Sequence, residues 1–122
     1  MDPELLEAAR ALGATLNQAK AVQTYLQAKA EAEANPEASS LEIHMMEVYQ
    51  ALITRQQAGE QLAQSEVQEF YALRNQAQSH PLIQARDAAL SQVKSLFAEA
   101  GTEITNQLGV DFTALALATL EE

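Results

Sequence analysis

This chain is predicted to be all-α, on three observations. Ala occurs 24 times and Gln 14 times among 122 residues, with only 4 Gly and 3 Pro, a mix that favours helix because Ala gives up no side-chain entropy and Gln little. Each proline stands where a helix can begin. Between the prolines, apolar residues recur in steps of three and four rather than two. The expected form is a set of long antiparallel helical hairpins, four to five helices in a single domain spanning 1–122, packed into a helical-bundle oligomer.

The first helix is expected over 3–34. Asp2 can cap it, Pro3 suits its first turn, and only Gly13 opposes it inside. At 1.5 Å per residue this is roughly 45 Å of rod. Leu5, Ala9, Leu12, Leu16, Ala19, Val22 and Leu26 form a narrow stripe that requires a partner helix. Asn35 and Pro36 repeat the Asp2–Pro3 device and open a second helix over 37–58, with Leu41, Met45, Val48 and Leu52 on one side. The first two helices are expected to fold back on each other.

Gly59 supplies a left-handed residue to close the second helix. Ser65 and Gln68 have capping-box spacing for a third over 65–78, whose contact side is Val67, Phe70, Tyr71 and Arg74. The polar run from Gln76 to Ser79 ends it. His80 and Pro81 then launch a fourth helix over 81–106, striped by Leu82, Ala89, Val93, Leu96, Ala100 and Ile104. Gly109 permits a turn, and Asp111 caps a last short helix over 112–120 carrying Phe112, Leu115, Leu117 and Leu120.

Composition narrows function mainly by exclusion. Seventeen acids against seven bases give a formal charge of −10, which repels phosphate backbones and anionic headgroups, so neither direct nucleic-acid binding nor a membrane surface is expected. The N-terminus has no basic n-region followed by an apolar h-region, and no apolar run approaches a membrane span. A cytoplasmic protein is the expectation. Without Cys there is no disulfide, thiolate nucleophile or Cys-ligated cluster.

Catalytic chemistry finds no footing. A carboxylate-bridged metal pair in a bundle needs Glu-x-x-His units, but Leu41 precedes His44 by three residues and Ala77 precedes His80. His44 is expected on a helix surface or boundary and His80 in a cap region. No nucleophile elbow or phosphate loop is present. Glu31, Glu33, Glu37, Glu42 and Glu47 lack the Gly and oxygen-ligand pattern of a calcium loop and read as a solvated face. No catalytic residue, metal or cofactor is assigned. Arg55, Arg74 and Arg86 flank the helix breaks and are expected to pair with carboxylates. Met45 is expected in the core. Met46 and Tyr49 cannot fully share its stripe, which leaves part of an adaptable Met-Tyr patch for a partner.

The order of features carries a resemblance: a long helix ending in NPE, a second closing with RQQAGEQL, a short acidic helix, HPLIQAR opening a long helix, then LGVDF. The glutamine-glycine turn from Gln56 to Leu62 and the Pro-Leu-Ile start from Pro81 to Ile83 are its most specific parts. In nearly its whole length the chain resembles the YlbF/YmcA family of small bacterial regulators. That likeness implies a helical, self-associating protein, a dimer or larger, that acts through other proteins rather than as an enzyme. Its implied processes are competence, sporulation and biofilm decisions and RNA processing dependent on ribonuclease Y. Implied partners are YlbF/YmcA-like proteins or a ribonuclease. Some relatives hold iron-sulfur clusters through Cys, a property this Cys-free chain does not share.

The residues expected to bind a partner are Tyr49, Arg55, Gln57, Gly59, Leu62, Pro81 and Ile83. Gly59 and Pro81 also have a purely geometric reading as helix punctuation. The alternative function is a helical structural or holdase-type chaperone module, marked by exposed apolar surface at helix tips.

Overall fold

The computed structural model describes residues 1–121, with side chains described through residue 116. It contains six helices: α1 (Pro3–Asn17), α2 (Lys20–Ala34), α3 (Pro36–Gln57), α4 (Gln64–Ser79), α5 (Pro81–Leu108) and α6 (Phe112–Glu121). No strand occurs among the described residues. The all-α expectation holds, with one helix more than the upper expectation of five.

The extra helix arises because the long first rod is broken, and the break lies after Asn17 rather than at Gly13. There the backbone tightens to i→i−3 bonding, Gln18 N–H donating to Thr15 O at 3.1 Å and Ala19 N–H to Leu16 O at 3.0 Å. The Gln23 side-chain amide donates to Asn17 O at 2.6 Å, occupying a carbonyl that a continuous helix would bond internally. One turn earlier, Thr15 Oγ1 donates back to Ala11 O at 2.9 Å, a bond that bends helices.

The other boundaries follow capping chemistry. Asp2 Oδ1 accepts from Glu4 N–H and Asn35 Oδ1 from Ala38 N–H, both at 2.9 Å. Gly59 has φ +86°. With Glu60 N–H on Arg55 O at 3.0 Å and Gly59 N–H on Gln56 O at 3.1 Å, it closes α3 in a Schellman motif. At α4 the expected capping box is absent: the cap position is Ala63, with no side-chain bond, and Ser65 lies inside the helix. Glu66 and Val67 N–H both reach Ala63 O, at 3.1 and 3.3 Å, so the first turn starts before Ser65 can cap it.

His80 sits between α4 and α5, and its Nδ1 accepts from Leu82 N–H at 3.2 Å, the cap-region role expected for it. α5 runs two residues past its expected end, to Leu108. Gly109, at φ +78°, closes it with an N–H bond to Thr105 O at 2.9 Å. Asp111 Oδ1 then accepts from Ala114 N–H at 3.1 Å and caps α6 as expected. The side chains of Leu117 and Leu120 lie outside the described residues.

Packing divides into two compact units, one of residues Leu26–Ala88 and the other of residues up to Tyr25 with those from Ala89 onward. In the first, the close helix pair is α3 with α4. α3 and α4 fold back on each other. The Schellman turn redirects the chain after α3, and Ala38 and Ala77 are small enough to let the backbones approach. With Ile83 they form a buried cluster against which Leu41 and Met45 pack. In the second unit Ala89 and Val93 are buried. Lys20, Ala21 and Thr24 of α2 flank a shallow cleft there with Ala89 and Gln92 of α5. α1 has no buried residue, and Leu5 and Leu12 of its expected stripe are 60% and 42% exposed.

Candidate functional site

Helical spacing on three elements converges on one groove within the Leu26–Ala88 unit. On α3, Glu42, Met45, Met46 and Tyr49 stand at i, i+3, i+4 and i+7, and therefore share a face. On α4, Phe70, Tyr71, Arg74, Ala77 and Gln78 stand at i, i+1, i+4, i+7 and i+8, likewise along one side. The first turns of α5 add Ile83, Arg86 and Asp87, and together these residues line a cavity of ≈ 440 Å³. This lies within the size range of clefts that hold ligands or partner side chains.

The floor is apolar and well packed. Ala77 and Ile83 are each 2% exposed, and half-buried Met45 packs against them, as expected of a core residue. The wall is an aromatic row, with Tyr49 and Phe70 centroids 5.6 Å apart and Phe70 and Tyr71 5.7 Å apart, both tilted. Above it Met46, Tyr49 and Tyr71 are 56%, 44% and 52% exposed. Large apolar surface thus meets solvent beside a buried floor.

The rim is charged. Arg86 Nη1 donates to Glu42 Oε1 at 2.6 Å, while its Nε and Nη2 reach Asp87 Oδ1 at 3.1 and 2.9 Å. The hydrogen bond that Arg86 donates to Glu42 leads the causes that hold its guanidinium above the ordinary pKa, against the opposing effect of burial. Arg86 is therefore a fixed cation tying α5 to α3. Arg55 does similar work near the far end of α3, with Nη1 2.8 Å from Glu66 and Nε 3.4 Å from Glu60. Its pKa is raised too, chiefly by the Glu66 hydrogen bond. The expectation of paired arginines fails at Arg74, which is exposed and makes no ion pair or hydrogen bond among the described residues. The carboxylates of the groove rim are already engaged by Arg86.

Of the seven residues expected at a partner site, Tyr49 and Ile83 line this groove. Arg55, Gln57, Gly59 and Leu62 lie at the end of α3 and in the turn toward α4, and Pro81 is the exposed first residue of α5. The spacing also places Phe70, Tyr71 and Arg74 on one side of α4, a signal present in the sequence. Glu42, Gln78 and Asp87 join the groove only through the pairing of helices. His44 is exposed, consistent with a helix-surface residue. Among the described residues no group of three or more His, Cys, Asp or Glu is placed to hold a metal ion. No helix among them is long and apolar enough to cross a membrane.

Comparison with curated proteins found no match, and neither did comparison with solved structures. The family model described as control of competence regulator ComK, YlbF/YmcA, matches residues 5–109. This span takes in α1 from Leu5 onward, all of α2 to α5, every residue of the groove and both helix breaks that carried the resemblance. The chain belongs to the YlbF/YmcA family of competence regulators.

Proposed function

We propose that this protein is a non-enzymatic regulatory adaptor that works by docking other proteins, with the groove between α3 and α4 as its contact surface. The observation that carries this reading is the juxtaposition of Met46, Tyr49 and Tyr71, all substantially exposed, over a floor formed by Ala77 and Ile83. Met repacks readily against different partners, and Tyr offers contact area at little entropic cost. The family assignment supports a regulatory role. The resemblance extends the proposal to competence, sporulation and biofilm control and to ribonuclease Y-dependent RNA processing, through YlbF/YmcA-like partners or a ribonuclease.

Affinity capture from the native host, with wild-type protein and with Met46→Glu, tests the proposal. The expected result is a YlbF/YmcA-like protein or a ribonuclease held by the wild type and lost from a variant with unchanged helical content. Capture of the same partners by both proteins would remove the groove from the account.

A holdase-type reading is favoured by one separate observation: Leu108, Val110, Phe112 and Leu115 are 57%, 53%, 42% and 58% exposed around the end of α5 and the start of α6. An aggregation-suppression assay distinguishes the two functions. An adaptor leaves a heat-denatured client protein to aggregate at its normal rate, whereas a holdase slows it at stoichiometric concentration.

A further inference from the structure

The charges at the groove say something about its occupant that the chain's overall charge does not. At −10 the molecule as a whole attracts basic partners. Inside the groove the balance differs, because Glu42 and Asp87 are both bonded to Arg86 while Arg74 has no partner among the described residues. The site therefore presents an exposed guanidinium without a partner among the described residues, beside Met46, Tyr49 and Tyr71. A guanidinium next to apolar surface is partly desolvated when that surface is covered, and a carboxylate is then its strongest hydrogen-bond partner.

We infer that the groove takes an amphipathic helix of a partner protein whose apolar anchors are interrupted by an Asp or Glu that pairs with Arg74. The α3 wall from Glu42 to Tyr49 extends over about two helical turns, roughly 10 Å, a length that matches anchors at i, i+3 or i+4 and i+7. A basic residue at the same position would meet Arg74 directly and would be rejected by like-charge repulsion. The groove thus selects against the class of partner that the chain's long-range field attracts.

This inference rests on the groove being a docking surface, and its test separates the two claims. A displayed library of amphipathic helices, with Leu or Phe anchors and one position varied among Glu, Gln and Lys, is selected against the full chain, Arg74→Glu and the uncharged truncation Met46→Ala. The expected outcome is enrichment of Glu over Gln of about fivefold on the wild-type chain, the scale of one partly exposed ion pair. On Arg74→Glu the preference moves to Lys. Clones that bind Met46→Ala as well as the wild type, or a library that yields no binders, would overturn the docking surface itself. Clones that require Met46 but show no preference for Glu, or prefer Lys on the wild type, would overturn only the acidic occupant.

Discussion

Gly59 is the residue at which backbone conformation most directly dictates sequence. At φ +86° it closes α3, and no neighbouring atom would obstruct an added Cβ. Its constraint is therefore conformational, and Gly59→Ala is expected to lower unfolding free energy by roughly 1–2 kcal/mol in urea titration. A neutral result would show that the turn relaxes. At Gly101 the constraint is space, since a Cβ there would lie 2.9 Å from Thr113 Oγ1. Gly101→Ala should stabilise by about 1 kcal/mol in a Thr113→Ala background, where helix propensity acts alone. In the wild-type background the gain should be smaller, and equal effects in both backgrounds would contradict the contact.

Arg86 and Glu42, 44 residues apart in sequence, are joined at 2.6 Å. Water reaches both side chains, so a double-mutant cycle with Arg86→Met and Glu42→Gln should give a coupling of about 1 kcal/mol rather than the larger value of a dry pair. The caps at Asp2, Asn35 and Asp111 were legible because each bonds an N–H two or three residues ahead. Which arginine is satisfied was not. Arg55, Arg74 and Arg86 look alike in sequence, and their distinction depends on carboxylates brought near by folding.

At the scale of elements, α1 and α5 make opposite demands on tertiary packing. α1 buries no residue, whereas α5 contributes Ile83, Ala89 and Val93 to the buried set. Native-state hydrogen exchange should accordingly be fastest among the helices in α1 and slow around mid-helix Val93 in α5; comparable protection of both would show that α1 is covered. The stripe of α1 was readable from its spacing, but the break after Asn17 was not. It depends on Gln23 folding back to Asn17 O, a choice between two acceptable conformations of a polar side chain. The apolar faces of α3 and α4 were likewise readable one helix at a time. Their union in one groove was not, because periodicity specifies a face without specifying what it faces.

For the whole molecule, the exposed leucines of α1 lead us to propose self-association. Light scattering should give a mass well above the 13.2 kDa of one chain. Added salt should strengthen assembly by screening repulsion between chains of −10 charge, and a monomer at micromolar concentration in high salt would remove the claim. Regulation through the α3–α4 groove is the central claim, and partner affinity tests it most directly. The dissociation constant of the partner captured from the host should rise at least about tenfold with Met46→Glu, since a charge is forced into a desolvated contact. An unchanged constant in a correctly folded variant would contradict the account.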